Sequence, residues 1–111
     1  MLIRAMSRGD AGAIASLNQE MQYHADADQI AARFDVLSRQ PGNGLFVAES
    51  DGDVVGWAHV HVMELLQTEP YAALVGLAVR LDARQQRIGA QLIDACRAWA
   101  RERGHGDVRL P

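Results

Sequence analysis

The residues best suited to chemistry lie in one polar turn, residues 80–87, between a wholly apolar segment and a helix that starts near Arg87 or Ile88. The first backbone N–H groups of such a helix lack partners within it, and the helix dipole favours negative charge beside them. Gly89 lies in the first helical turn, where the missing side chain lets a phosphate approach the backbone. Arg84 and Arg87 add two cations that can bind phosphate bidentately. The pattern predicts either a cradle for a pyrophosphate or an ordinary strand-to-helix turn with solvated arginines.

A second candidate is the pair His59 and His61, which alternates with apolar residues and therefore shares one face of a strand. The spacing is that of a His-x-His metal pair, for which Glu64, Glu69 or His24 would have to supply further ligands. We predict no metal, because an imidazole with a pKa near 6.5 is better suited to act as a general base. The alternative is a pair of polar side chains that face a cleft or solvent.

Several other side chains have weaker claims to a chemical role. Glu64 and Glu69 fall in the predicted loop after this strand, where they would attract a cationic group or serve as a base, unless the loop is simply charged and solvated. Tyr71, like Tyr23, would act as an acid or line a pocket, and we prefer the pocket role for Tyr71. Cys96 falls on an apolar helix stripe and is predicted to lie in the core.

Composition limits the class of protein before any motif is considered. The chain has 111 residues, of which 49% are hydrophobic and 23% charged, so we expect one globular domain. No apolar run is long enough to span a bilayer, and a net charge of −3 argues against a nucleic-acid or membrane partner. With one cysteine there is no internal disulfide, and we expect a cytoplasmic protein. All 11 basic residues are arginine, which excludes Schiff-base chemistry on a lysine.

The N-terminal half predicts a strand over residues 2–5 followed by two amphipathic helices. Ser7 or Asp10 can cap the first helix, and Asp26 or Asp28 the second. Their apolar stripes are Ile14, Leu17 and Met21 in the first helix and Ile30, Phe34 and Leu37 in the second. The sequence Pro-Gly-Asn-Gly at residues 41–44 predicts the turn that ends the second helix.

The C-terminal half predicts a hairpin, a buried strand, a long helix and a last strand. Strands over residues 45–49 and 54–63 are joined by the turn Asp51-Gly52. Alternation places Val54, Gly56, Ala58, Val60 and Val62 on one face and Val55, Trp57, His59, His61 and Met63 on the other. Residues 72–79 are all apolar, which predicts a strand buried on both faces at the centre of the sheet. The helix stripe is Ile88, Leu92, Ala95, Cys96 and Trp99, and the last strand covers residues 107–110.

The segment over residues 76–93 resembles the acetyl-CoA-binding motif of the GNAT family of N-acetyltransferases. That motif runs Arg/Gln-x-x-Gly-x-Gly/Ala; Arg84 matches its first position, Gly89 its last, and Arg87 stands where the first glycine usually is. The order of elements is also similar over essentially the whole chain. The resemblance implies an α/β (α+β) fold with a mixed, mostly antiparallel central sheet flanked by helices, in the order β-α-α-β-β-β-α-β, forming a single domain over residues 1–111.

The resemblance also implies roles for individual residues. The family splays its fourth and fifth strands apart, and the main chain of Leu77, Ala78 and Val79 would hydrogen-bond pantetheine in the opening like an added strand. A strand amide near Leu77 or Val79 would polarise the acetyl thioester, and the acceptor amine would attack directly. The pyrophosphate of acetyl-CoA, the co-substrate, would be held with Arg84 by the backbone N–H groups of Gln85, Gln86, Arg87, Ile88, Gly89 and Ala90.

The chain departs from the family's pattern in two ways. Many relatives place a glutamate early in the fourth strand as general base, where this chain has Ala73. The family's last two strands, and a helix that often carries a tyrosine acid, are expected to be missing, so that residues 107–111 form an open edge. We expect this edge to pair with another chain in a homodimer, to swap domains or to make the fold less stable. We predict acetyl transfer from acetyl-CoA to the primary amine of a small molecule or peptide. The alternative is a CoA-binding module or fragment that is inactive without a partner chain.

Overall fold

A computed structural model describes residues 1–111 except the side chain of Gln85, and its elements follow the predicted order. The strands are β1 (Leu2–Ala5), β2 (Asn43–Ser50), β3 (Asp53–Met63), β4 (Tyr71–Val79) and β5 (Val108–Arg109). The helices are α1 (Ala11–Gln19), α2 (Ala27–Ser38) and α3 (Ile88–Glu102), with short 3-10 helices at Arg8–Asp10 and Leu81–Gln86. Among the described residues, no helix is both long and apolar enough to cross a membrane.

The five strands form one sheet in the order β1-β2-β3-β4-β5, antiparallel except for the last pair. Within the described residues, β5 pairs with β4 only at Ala72–Val108 and Ala73–Arg109. The side of β4 that faces β5 is therefore open from Leu74 onward. The register also shifts beside His59 and Val60, which leaves Val75 as an extra residue on β4. Such a bulge bends the strand and re-aims its side chains.

The prediction that β4 is buried on both faces at the centre of the sheet is wrong. β3 is the central strand, and Val75 on β4 is 51% exposed. An uninterrupted apolar sequence marks a strand that is covered over most of its length, but it does not show whether both edges are paired. Two boundaries also differ: Asn43 and Gly44 belong to β2 rather than to the preceding turn, and the last strand is only Val108–Arg109.

Helix α3 covers one face of the sheet with the predicted stripe. Ile88, Leu92 and Cys96 are fully buried there, and Trp99 nearly so, against Ala58 and Val60 of β3. Val55 joins this core, although alternation predicts it on the face of His59. The reason is a bulge in the β2–β3 pair, where the register shifts between Ala48 and Glu49. Strict alternation breaks at such a bulge.

Helices α1 and α2 lie on the opposite face. Of the two candidate caps for α2, Asp26 is the one used: its Oδ1 accepts from the Gln29 N–H at 2.8 Å, and Gln29 Oε1 accepts from the Asp26 N–H at 2.9 Å. Helix α1 ends at Gln19, so Met21 lies just beyond the stripe predicted for it. These reciprocal bonds fix where α2 begins, and hence which of its residues face the sheet.

A buried ion pair ties β1 to the start of α1. Both Arg4 Nη atoms donate to the Asp10 carboxylate at 2.9 Å, and Arg4 also reaches Glu49 on β2 at 3.2 Å. Asp10 Oδ2 accepts a further bond from the Ser7 N–H at 2.8 Å and is 7% exposed as a residue. The guanidinium of Arg4 and these bonds hold the pKa of the Asp10 carboxyl below its usual range, more than offsetting its burial.

Candidate functional site

A cavity of about 720 Å³ opens between α1, α2 and the sheet face that carries His59. This is within the size range of small-molecule sites. Its wall combines apolar side chains with a few polar ones. The lining residues are Met6, Ile14, Asn18, Gln22, Tyr23, His24, Ala25, Gln29, Ile30, Arg33, Phe34, Leu37, Leu45, Trp57, His59, Val75, Gly76 and Leu77.

The two predicted histidines share one hydrogen-bond acceptor at this cavity. Asn43 Oδ1 lies 2.7 Å from His59 Nε2 and 2.8 Å from His61 Nδ1. His59 lines the cavity, whereas His61, one step further along β3, does not. The ring centroids are 6.2 Å apart, edge to face. The structure therefore separates two residues that the sequence leaves equivalent.

The orientation of the Asn43 amide fixes the tautomer of His59. Asn43 Nδ2 donates to Gln40 Oε1 at 2.9 Å and to the Leu37 carbonyl at 3.3 Å, so Oδ1 must be the atom that faces the imidazoles. His59 then carries its proton on Nε2 and leaves Nδ1 as an acceptor. Burial, and secondarily the charge of His61, lowers the pKa of His59 below 6.5. Neutral His59 is thus the dominant form at neutral pH.

Trp57 forms the wall of the cavity next to His59. Its Nε1–H donates to the Oδ1 of the buried Asn18 at 2.7 Å, which links β3 to α1. Its six-membered ring lies over Gly76, where a Cβ would come within 2.6 Å of Trp57 Cζ3. Any side chain at Gly76 would displace the indole. Glycine at this position is therefore required for the cavity wall and for the close approach of β3 to the bulge in β4.

The predicted phosphate turn lies at the end of β4, beside the open strand edge. Arg87 precedes α3 in the left-handed region, at φ 60° and ψ 24°, a conformation that costs a residue other than glycine about 1 kcal/mol. The first hydrogen bond of α3 runs from the Gln91 N–H to the Arg87 carbonyl. The N–H groups of Ile88, Gly89 and Ala90 come before it and have no carbonyl partner within the helix. Arg87 stands where the motif has a glycine, and it adopts the left-handed backbone conformation that favours glycine.

Gly89 leaves space at the start of α3. A Cβ there would meet only Val79 Cγ2, at an ordinary 3.8 Å, so packing does not require glycine. Arg84 folds back along the turn, and its Nε–H donates to the Val79 carbonyl at 3.2 Å. The Leu81 N–H donates to Glu20 Oε1 at 2.9 Å, which ties the turn to the end of α1. The side chain of Gln85 lies outside the described residues.

The comparisons with known proteins decide the family. A family model described as Acetyltransferase (GNAT) family matches residues 12–110, which is nearly the whole chain. The chain belongs to the GNAT acetyltransferase family. No curated protein matches its sequence.

Solved GNAT structures share the fold at low sequence identity. A GNAT family acetyltransferase from Staphylococcus aureus superimposes with a TM-score of 0.85 at 11% identity, over 99% of this chain and 84% of that one. The aminoglycoside 6'-N-acetyltransferase AAC(6')-Ig from Acinetobacter haemolyticus gives 0.85 at 16%, over 100% and 79%. AAC(6')-Iy, in complex with the bisubstrate analogue CoA-S-monomethyl-acetylneamine, gives 0.83 at 21%, over 99% and 78%. These likenesses establish the fold.

The remaining predicted site residues of this GNAT domain lie away from the cavity. Tyr71 pairs with Met63, four residue pairs beyond the His59–Gly76 pair, or roughly 13 Å along the strands. Its ring is covered by the Arg109 guanidinium at 3.7 Å. Glu64 lies in the exposed loop after β3. The structure therefore brings His59 and Leu77 together at the cavity, and it does not bring Glu64 or Tyr71 to them.

Three residues at or beside the cavity could not be identified from the sequence. Asn43 belongs to a Pro-Gly-Asn-Gly sequence that is typical of a turn, so the sequence does not indicate a strand residue there. In the structure, Asn43 is the first residue of β2 and lies opposite His61. Asn18 lies among the apolar residues of α1, where a buried amide gives no signal of its own. Arg33 is one of 11 arginines and becomes notable only because α2 turns it toward the cavity.

Proposed function

We propose that this GNAT domain transfers an acetyl group from acetyl-CoA to a primary amine bound in the cavity, with His59 as general base. The observation that carries the proposal is the hydrogen bond from His59 Nε2–H to Asn43 Oδ1 at 2.7 Å, because it leaves Nδ1 of a cavity-lining imidazole available as an acceptor. A base from β3 would also compensate for Ala73, which stands where many relatives have a glutamate.

The chain's own residues fit the donor. The open side of β4 at Leu77, Ala78 and Val79 offers backbone groups to pantetheine. The N–H groups at the start of α3 and the space beside Gly89 suit a pyrophosphate, as do Arg84 and Arg87. Acetyl-CoA would supply an activated acetyl thioester next to the cavity. A CoA bisubstrate complex of the similar structure AAC(6')-Iy supports the same donor here.

His59 would act on the proton of the acceptor. A primary amine reaches the site mainly as ammonium and must lose a proton before its nitrogen can attack. His59 Nδ1 would take that proton while Asn43 Oδ1 remains bonded to Nε2–H and stabilises the resulting imidazolium. The new N–C bond forms as the C–S bond breaks, and a strand amide near Leu77 or Val79 would stabilise the charge on the carbonyl oxygen. The nitrogen then releases its second excess proton to solvent, and the CoA thiolate leaves and is protonated by solvent.

The decisive experiment compares H59A with H61A in a CoA-release assay over pH 5–9, using a panel of amines. His61 is a matched control because it bonds to the same Asn43 oxygen and does not line the cavity. H59A should lower kcat roughly 10²- to 10⁴-fold and remove the acidic limb of the pH profile. H61A should keep that limb. An unchanged profile in H59A would exclude His59 as the base.

Donor binding is tested separately by titrating acetyl-CoA into the protein in a calorimeter. R84A and added salt should each weaken binding if the turn holds phosphate, and R101A, an exposed arginine on α3, serves as the charge-matched control. Binding of acetyl-CoA without CoA release from any amine would favour the CoA-binding module instead. Equal affinities for R84A and R101A would identify the turn as an ordinary one.

A further inference from the structure

The residues that line the cavity include an arginine and no acid, whereas the chain as a whole has a net negative charge. The protein carries 14 Asp and Glu residues against 11 arginines, yet no described residue that lines the cavity is acidic. Its polar wall consists of amides, the Tyr23 hydroxyl, two histidines and one guanidinium, that of Arg33. Whatever binds here meets positive and neutral groups only.

Arg33 is placed at the cavity by the apolar face of α2. Gln29, Ile30, Arg33, Phe34 and Leu37 all line the cavity, and their spacing is that of one helix face. Among the described residues, Arg33 makes no ion pair. The guanidinium is therefore available to a ligand.

None of the acids on α2 or at its N-cap lines the cavity. Asp35, two residues after Arg33, is bound by Arg8 Nε at 3.2 Å. Asp26, at the start of the helix, accepts from the Gln29 N–H at 2.8 Å. Asp28, in the first turn, makes no ion pair with Arg33 among the described residues. The helix therefore places one cation and no carboxylate on the face that bounds the site.

The rest of the wall suits an apolar body. Ile14 of α1, Ile30 and Phe34 of α2, and Leu45 and Trp57 of the sheet all border the cavity. Burying an apolar group against them is favourable by about 25 cal/mol per Å². A ligand that combines such a body with an anionic group satisfies both parts of the wall.

We infer that the acceptor is an amino-acid-like primary amine, with an apolar side chain and a carboxylate that binds Arg33. The inference rests on the proposed function. Arg33 offers a planar fork that matches a carboxylate. A polycationic aminoglycoside or polyamine would meet Arg33 without any lining carboxylate to pair with.

The test compares L-phenylalanine with phenethylamine, which is the same amine without the carboxylate. We would measure kcat/KM for both in the wild type, R33Q, R33E and R39Q, with spermidine and kanamycin as polycations. R39Q is the matched control, because Arg39 is exposed at the end of the same helix, as Arg33 is within it, but does not line the cavity. Comparing the ratio of the two amines across variants cancels their intrinsic reactivities.

We expect the phenylalanine-to-phenethylamine ratio to fall roughly tenfold in R33Q, to fall further in R33E, and to stay unchanged in R39Q. A ratio that is insensitive to Arg33, or faster turnover of spermidine or kanamycin than of phenylalanine, would overturn the inference and leave the proposed function intact. CoA release with none of the amines would instead count against the proposed function. In that case, calorimetric binding of N-acetylphenylalanine to the wild type and not to R33Q would still support the carboxylate site.

Discussion

The hydrogen bond between Asn43 and His59 allows the base strength of the imidazole to be changed with little change in shape. We predict that N43D raises the pKa of His59 and moves the acidic limb of kcat/KM to higher pH. The aspartate side chain has the same shape as asparagine, and its carboxylate would lie where the amide oxygen now bonds His59 at 2.7 Å and His61 at 2.8 Å. The neutral acceptor thereby becomes an anion that stabilises imidazolium.

The size of the shift follows from this geometry. Two unit charges about 4 Å apart interact by about 4 kcal/mol at an effective dielectric constant of 20. The site is partly exposed and the new carboxylate must itself be desolvated, so we expect an upward shift of about 1 to 2 pH units. Because burial lowers the wild-type pKa of His59, the limb of N43D is compared with the wild-type limb measured in the same assay. Loss of the Nδ2 bond to the Leu37 carbonyl should cost about 1 kcal/mol of stability.

The assay is CoA release between pH 5 and 10, with unfolding followed in parallel. The matched control is Q40E, which adds a carboxylate on the Nδ2 side of Asn43, away from both imidazoles, and should shift the limb by less than about 0.5 units. N43D should recover near wild-type activity above pH 9, where His59 is neutral again. An acidic limb that does not move, or a loss of rate that is the same at every pH, would refute the assignment of His59 as the base positioned by Asn43.

Three further predictions concern the framework of the site. D10N should lower the free energy of unfolding by about 2 kcal/mol at pH 7, because it replaces the carboxylate that Arg4 binds. Since the pKa of Asp10 is depressed in the fold, this stabilisation is present above about pH 4 and is lost as the pH falls through the folded value, so urea melts of the two proteins should converge in acid. G76A should cost about 1 to 3 kcal/mol and increase the solvent exposure of Trp57, seen as a red-shifted fluorescence maximum, and an unshifted spectrum would contradict the packing argument. Burial raises the pKa of Cys96 to about 11, so its reaction with a disulfide reagent at pH 8 should be at least roughly 100-fold slower in the native than in the urea-unfolded protein.

Most of the fold follows from periodicity and turn chemistry. The stripe from Ile88 to Trp99 identifies the helix that covers the core, and Asp51-Gly52 fixes the hairpin. The turn before α3 can be recognised as a candidate phosphate site because the free N–H groups of a helix start, a glycine and two arginines are local features. Arg87, which departs from the motif, adopts a left-handed backbone conformation that favours glycine.

The geometry around His59 is not predictable in this way, because it depends on two single-residue bulges. If the strands were paired residue by residue from the hairpin turn, Asn43 would lie opposite Val60. The register shift between Ala48 and Glu49 instead places Asn43 opposite His61. The bulge at Val75 likewise shifts β4 against His59. A slip of one residue turns every following side chain to the other face, and neither bulge carries a sequence signal.

The open side of β4 links the stability of this protein to the composition of the solution around it. Past Ala73, one edge of the strand has no partner among the described residues, and such an edge is a template for other chains. On the proposed function, the donor would complete the sheet as a sixth strand. Ligand at a hundredfold its dissociation constant then adds about 2.7 kcal/mol to the free energy of unfolding. The supply of acetyl-CoA in a cell would therefore set the lifetime of the folded protein and its tendency to self-associate, as well as its rate of turnover.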